Sequence, residues 1–388
     1  MFKTADAVII GGGVMGCSIQ YNLAEMGMNK THLLEKNVLG SGSTSRSQAI
    51  LRMHYSNEVT ARMAWESLKV FQDFHEIIGS TSGYTRTGYL LVVSDEDASA
   101  MRENLSMQKE LGIDADEITA SELSEICPMV TTLENEVYSW EPQSGYADPY
   151  SVTTGYARKS RELGCSIEDS MEVRSIDVKG SRVVGVRTDA GLISTDKVVV
   201  AAGPWSGPLL KSVGVDLHLK TIRHQVVLLR RPDDLVPEHP CIGDVIHDLS
   251  ARPDVGGLTM IGVGEEESIG PDKFNQGVDM PVVERAFENM VRRVPGLATS
   301  LFRGGWSGLF TTTPDWHPVL DAIEGISGLY VAVGFSGHGF KLSPMVGKAM
   351  GEIMTSGHSK TIDVSVLNAK RFVSGGRLKS RYGMQVLA

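Results

Sequence analysis

Gly11-Gly12-Gly13-Val14-Met15-Gly16 stands between an apolar tetrapeptide, residues 7–10, and an amphipathic stretch over 14–27. This spacing predicts a strand over 6–11, a tight turn, and a helix over 14–27. Gly11 permits the turn, Gly13 leaves no Cβ in the way of a pyrophosphate, and Gly16 lets the helix lie close against the strand. The helix N-terminus offers N–H groups and a positive dipole end to phosphates. A second strand is expected over 31–35 and ends in Glu35, whose carboxylate suits ribose hydroxyls and repels a 2′-phosphate. Together these make a βαβ unit of about thirty residues. The motif predicts a Rossmann nucleotide-binding unit, in which Val14, Met15 and Lys36 join Gly11, Gly13, Gly16 and Glu35 as expected contacts. It serves NAD and FAD alike.

Composition narrows the class. Of 388 residues, 41% are hydrophobic and 22% charged, as in an ordinary globular protein. A chain of this length buries enough apolar surface to fold without disulfides or metal. Cys17, Cys127, Cys165 and Cys241 are scattered with no CxxC pair, which argues against a zinc site and fits a reducing compartment. The net charge of −10 argues against a nucleic-acid partner. No apolar run approaches the roughly 18 residues that span a bilayer. The N-terminus leads straight into the glycine cluster rather than through a charged segment and an apolar run. A cytoplasmic location is expected.

Further along, residues 57–78 read as helical. Residues 89–93 read as a strand, with Ser94 expected to cap the polar helix that follows. Thr119 and Glu122 have capping-box spacing. Short β-branched runs over 173–178, 182–188 and 197–201 read as strands, as do 222–230, 258–262 and 329–333. Ser343-Pro344 predicts a helix start, serine as N-cap and proline at N1. The fold class expected is a two-lobed α/β (α+β) architecture. A Rossmann-type lobe is assembled from 1–80, 145–215 and 320–388, and a mostly antiparallel substrate lobe from 81–144 and 216–319.

Three more blocks separate FAD from NAD. Gly40-Ser41-Gly42-Ser43-Thr44-Ser45-Arg46-Ser47 follows the acid, Val198-Val199-Val200-Ala201-Ala202-Gly203-Pro204-Trp205-Ser206 forms a strand and turn, and Gly334-Phe335-Ser336-Gly337-His338-Gly339-Phe340-Lys341 joins a strand to a helix. With the N-terminal loop, these blocks resemble the D-amino-acid-oxidase superfamily of flavoproteins, nearest its sarcosine-oxidase and glycine-oxidase branch. The resemblance spans nearly the whole chain. It implies that Ser43, Thr44, Ser45, Arg46 and Ser47 face the pyrophosphate and ribityl chain. It implies too that Ala202 and Gly203 lie beneath the cofactor and that Val173 meets the adenine. Gly337, His338, Gly339, Phe340 and Lys341 would lie along the flavin ring, where a positive helix end favours the anionic reduced form.

The same resemblance implies a substrate clamp. Arg52, in Ile50-Leu51-Arg52-Met53-His54-Tyr55, and Lys341 match an arginine and a lysine that hold a substrate carboxylate. His338 either sets polarity at the flavin or is a structural hydrogen-bonding histidine. The implied reaction is hydride transfer from the C–N carbon of a small carboxylate-bearing amine to flavin N5, then imine hydrolysis. Gly308 stands where monomeric sarcosine oxidases carry the cysteine bonded to flavin, so a non-covalent FAD is expected, with His54 an alternative attachment point. Thr259 matches their lysine over the flavin, and Val263 a substrate-side histidine, which leaves oxidase and dehydrogenase both open. Alternatives are a D-amino-acid or hydroxy-acid dehydrogenase with a non-oxygen acceptor, a flavin subunit of a multi-component complex, and an NAD enzyme. A homo-oligomer or a partner subunit is compatible with each.

Overall fold

The computed structural model describes residues 3–232, 234, 236 and 238–382. Parts of the expected lobes, residues 1–2, 233, 235, 237 and 383–388, lie outside the described residues.

Ala7–Ile10 is buried along its whole length and is central in a six-stranded sheet. Thr31–Leu34 and Val198–Val200 flank it in parallel. Ser166–Glu168 and Leu329–Val333 extend the parallel set, and Val319–Ala322 pairs antiparallel at one edge. Both faces are covered, so these strands are continuous apolar runs rather than alternating ones. Ile9, Leu33 and Val199 face the helices Val14–Glu25 and Gly339–Ser356. Val8, Ile10, Val198 and Val200 pack on Ile176, Val183, Val186 and Ile193 of a four-stranded sheet that includes Val173–Lys179 and Arg182–Thr188.

The second lobe is an eight-stranded sheet. In order it runs Leu301–Thr312, Lys220–Arg230, Leu258–Ser268, Leu249–Asp254, Cys241–Asp244, Tyr89–Ser94, Glu136–Glu141 and Asp116–Ile118. All neighbours are antiparallel except Cys241–Asp244 with Tyr89–Ser94. Helix Met280–Arg293 covers one face, where Val227, Leu229, Ile261 and Val263 meet Val282, Ala286 and Met290. The other face turns toward the nucleotide lobe. The result is a two-lobed α/β fold.

Three local expectations need correction. The last long helix begins at Gly339, with Pro344 inside it. The glycine block has already turned the chain, and packing against Val14–Glu25 carries the helix through a proline that forgoes one backbone bond. Ser94 makes no capping bond to the backbone; its hydroxyl donates to Asp97 instead. The stretch 57–78 is two helices, Glu58–Gln72 and Phe74–Ile78, broken at Asp73. Thr119 and Glu122 do form the reciprocal capping box.

Candidate active site

A cavity of about 530 Å³ opens between the C-terminal ends of the parallel strands and the eight-stranded sheet, where open α/β sheets bind ligands. At the first strand end it is lined by Gly11, Gly13, Val14 and Met15, and at the next by Glu35 and Lys36. Ser43, Thr44, Arg46 and Ser47 line it from the hydroxyl-rich loop, Val173 from the four-stranded sheet, and Ala202 and Gly203 from the turn after Val198–Val200. Gly308 approaches from the antiparallel sheet, and Gly337, Gly339 and Phe340 from the strand-to-helix block. The helices Val14–Glu25 and Gly339–Ser356 therefore both open their N-termini onto it.

Gly16, Ser45, Arg52, His338 and Lys341 do not line it. Gly16 acts from behind: a Cβ there would stand 1.9 Å from the Gly11 carbonyl oxygen, so only glycine lets helix and turn approach this closely. Ser45 is exposed, with its N–H bonded to the Gly40 carbonyl, because the single turn Thr44–Arg46 directs its neighbours inward and Ser45 outward.

The lining is held by side chains that fasten backbone. Glu35 Oε2 accepts from the Gly12 N–H at 2.7 Å and Oε1 from the Asn37 N–H at 2.8 Å. Thr44 Oγ1 accepts from the Val14 N–H at 3.2 Å, tying the hydroxyl-rich loop to the helix start. Ser43 donates to the Leu309 carbonyl at 2.7 Å, and Arg46 donates to the Ser307 carbonyl at 2.7 Å and to Gln276 at 2.8 Å. This loop thus joins the two lobes across the cavity.

At the other end, Gly337 has φ +86°, and a Cβ there would meet the Phe310 ring at 2.8 Å. Phe310 in turn stacks on His224, ring centroids 4.6 Å apart. His224 lines the cavity and went unnoticed in the sequence. Burial lowers its pKa to about 4, so it stands as a neutral imidazole. Period-two alternation along Lys220–Arg230 was the available signal: Val227 and Leu229 face the helix, and His224 faces the opposite side.

The same alternation turns Thr259, matched to a lysine over the flavin, and Val263, matched to a substrate-side histidine, away from the cavity. Val263 packs among Leu249, Val282 and Ala286 on the helix side, and the Thr259 hydroxyl meets His239 at 2.9 Å. Met260 and Gly262 occupy the opposite face; a Cβ on Gly262 would meet His224 and Gln48. A one-residue slip in register exchanges the two faces of a strand.

Arg52 and Lys341 belong instead to a buried polar chamber behind the glycine block. Arg52 is 7% and Lys341 8% exposed, and the Arg52 guanidinium lies 4.5 Å from the Tyr55 ring centroid. Arg52 also donates to the His54 carbonyl. Burial, and then the charge of Arg52, hold the Lys341 ammonium well below the usual lysine range. Glu141, fully buried, accepts from the Met53 N–H at 2.9 Å, Ser144 at 2.6 Å and Gln108 at 2.7 Å; burial raises its pKa against those donors. The His338 ring lies tilted against Tyr55, centroids 5.4 Å apart, and burial, Arg52 and Lys341 lower its pKa far below normal. Tyr55 OH and His338 Nε2 are buried and meet no hydrogen-bond partner among the described residues. His54 does not line the cavity; its Nε2 meets the Tyr382 hydroxyl. All four cysteines are buried and none lines the cavity. Among the described residues, no helix is long and apolar enough to cross a membrane.

A glycine turn, an acid at the second strand end and two helix N-termini around one elongated cavity define a dinucleotide-cofactor oxidoreductase. The chain belongs to the family of FAD dependent oxidoreductases (DAO), whose model matches residues 6–353, and FAD is its cofactor. It is 28% identical to 4-methylaminobutanoate oxidase (formaldehyde-forming) of Paenarthrobacter nicotinovorans over 94% of this chain, and spans 45% of that protein. It is 27% identical to the sarcosine oxidase subunit beta of an Arthrobacter species, over 96% of this chain and 92% of that one. Among solved structures it resembles L-proline dehydrogenase from P. horikoshii, with TM-score 0.89 and 28% identity over 97% and 99% of the two chains.

Proposed function

We propose that the protein oxidises the C–N bond of a small amino acid or N-methylated amino acid. Two helix N-termini from opposite ends of the chain open onto one glycine-lined cavity, and that observation carries the reading. Backbone around Gly11 and Gly13 suits the pyrophosphate, Glu35 and Val173 the adenosine, and Gly337, Gly339 and Phe340 the ring. Ser43, Thr44, Arg46, Ser47, Ala202, Gly203 and Gly308 complete the bed. Bound FAD supplies the acceptor for the hydride leaving carbon, while the nitrogen lone pair forms the C=N bond. Water then adds to the imine, giving a carbonyl compound and an amine.

Arg52 and Lys341 are the proposed clamp for the substrate carboxylate, with Tyr55 OH and His338 Nε2 beside them. The carboxylate pairs with the Arg52 guanidinium and restores the charge of Lys341, which burial otherwise holds toward the neutral amine. His224, a neutral imidazole, faces the amine end, where the nitrogen reacts unprotonated with its lone pair free. The proteins named above point the same way, since their names specify methylamino and imino acids.

Anaerobic mixing with sarcosine, proline, glycine and D-amino acids tests this. At least one should bleach the visible flavin band. Bleaching by dithionite but by none of these amines would reject the substrate class. Reoxidation by oxygen, compared with a dye, separates oxidase from dehydrogenase. Near-complete correspondence with a protein named as a subunit favours a second reading, a flavin subunit of a larger complex; gel filtration of the native protein from its own cells distinguishes a lone chain from an assembly.

A further inference from the structure

Lys36, Trp205 and Asp272 come from three separate segments and meet at the edge of the cavity, which all three line. Lys36 follows strand Thr31–Leu34, and Trp205 ends the short turn after Val198–Val200. Both belong to the nucleotide lobe. Asp272 comes from the other lobe, on the loop after Leu258–Ser268. Its Oδ1 accepts from the Trp205 Nε1–H at 2.7 Å and from the Lys36 ammonium at 3.2 Å. Lys36 Nζ also stands 3.8 Å from the centroid of the Trp205 ring.

The loop behind Asp272 is anchored. Arg223 donates to the carbonyls of Asn275 and Gly277 at 3.1 and 3.0 Å and pairs with Asp279. Gln276 is gripped from the nucleotide lobe by Arg46. Ahead of the tip, the Ile269 N–H bonds to the Thr221 carbonyl at 3.0 Å. The loop is thus fixed on both sides, and its tip, Pro271 and Asp272, reaches the opposite lobe beside the adenosine end.

We propose that Asp272 is a positioning residue of the cofactor site, a clasp that fastens Trp205 and Lys36 and sets how fast FAD leaves. The proposal rests on the reading that the cavity takes FAD. Asp272 is 68% exposed at its side chain, so the Lys36 ion pair alone is weak and salt-screened. The indole N–H to carboxylate bond is charge-assisted and short, and it is the stronger half of the clasp. Lys36 adds to it by lying over the ring and donating to the same oxygen. The two contacts share one acceptor, so they should act as one unit rather than additively.

FAD dissociation is the readout, followed by flavin fluorescence when holoprotein is diluted into excess apoflavodoxin. Asp272→Ala should release FAD about tenfold faster, equivalent to losing one charge-assisted hydrogen bond. Trp205→Phe keeps the ring and removes the N–H, and should release FAD at a similar rate. The double variant should be no faster than the quicker single one. Asp272→Asn keeps an acceptor for the indole and should fall between wild type and Asp272→Ala. Raising the salt concentration should speed release from wild type and leave Asp272→Ala unchanged.

Melting of the apoprotein separates a clasp from general support. It should fall by at most about 3 °C in Asp272→Ala, the share of one largely exposed carboxylate's contacts; a larger fall, with release accelerated only in proportion, would overturn the proposal. So would release within twofold of wild type from a yellow Asp272→Ala protein, or strictly additive effects in the double variant. If Asp272→Ala does not fold, the comparison of Asp272→Asn, Trp205→Phe and wild type decides on the same terms. Wild-type apoprotein that takes up no FAD would instead sink the cofactor reading itself.

Discussion

The cavity and the buried chamber lie on the two sides of one glycine block and are built in opposite ways. The cavity opens where small residues leave backbone bare: Gly11, Gly13, Ala202, Gly203, Gly337 and Gly339 line it by lacking bulk, between side chains from both lobes. The chamber is all side chain, with Arg52, Tyr55, Glu141, His338 and Lys341 converging from remote segments. A backbone site tolerates changes of charge around it and fails when a methyl group is added. A side-chain site fails when one member of a buried charge set is removed. That contrast makes different predictions for acid, for Glu141 and for the two cations.

Acid should act most strongly. Burial holds His54 at about 3, His239 at about 4 and His317 at about 4, against an ordinary value near 6.5 in the unfolded chain. Between those values the unfolded chain binds protons that the folded chain does not. Stability is therefore intact above about pH 6.5 and falls as pH drops toward 4, by ~1.4 kcal/mol per pH unit for each histidine. The three together amount to ~6 kcal/mol at pH 5, a large share of a normal folding free energy. Urea midpoints measured at pH 7.5, 6 and 5 should decline steeply. His54→Gln should remove one histidine's share of that slope, and a flat profile would show that these rings are not held neutral.

Glu141 comes next. Three donors converge on its carboxylate, and Arg52 and Lys341 are near enough for its charge to oppose theirs. Glu141→Gln keeps the volume but places an amide where an acceptor was needed. Removing one partner from a buried charged set costs about 3–5 kcal/mol. A loss near 3 kcal/mol in chemical denaturation at pH 7.5 is expected, because the amide oxygen keeps part of the hydrogen bonding. A change under 1 kcal/mol would mean that Glu141 is already protonated and contributes no charge.

This division also explains what could be read from the sequence. A glycine turn ending in an acid is local: Gly11 to Gly16 and Glu35 fall within one βαβ unit, so spacing alone carries the geometry. The block from Gly334 to Lys341 is likewise contiguous, though its helix start was misplaced, because Ser343-Pro344 gives a local signal that tertiary packing overrides. The chamber has no local signal. Glu141 and Tyr382 reach Arg52 and His54 across long stretches of chain, and no spacing rule links them. His224 was missed for another reason: its strand is long enough to show alternation, but no motif marks it, and on the neighbouring strand a motif match in the wrong register pointed to Thr259 and Val263.

The smallest expected effect separates the chamber from the cavity most cleanly. On the proposed reading, Arg52 and Lys341 hold the substrate carboxylate and touch neither the pyrophosphate nor the adenosine. Lys341→Met removes one charge-assisted bond and keeps the length and bulk of the chain. Such a bond contributes about 1.5–3 kcal/mol, so KM should rise roughly tenfold to a hundredfold. Arg52→Met should act in the same direction, and more strongly, because a guanidinium grips a carboxylate with two bonds. The ratio of flavin to protein should stay at the wild-type value in both variants, since the cavity wall is unchanged. Burial already favours the neutral amine of Lys341, so its share of the binding should fade as pH rises and the carboxylate can no longer recharge it. Arg52 stays charged throughout. The KM penalty of Lys341→Met should therefore shrink at high pH while that of Arg52→Met persists. Equal penalties across the pH range would assign both residues to packing rather than to the clamp.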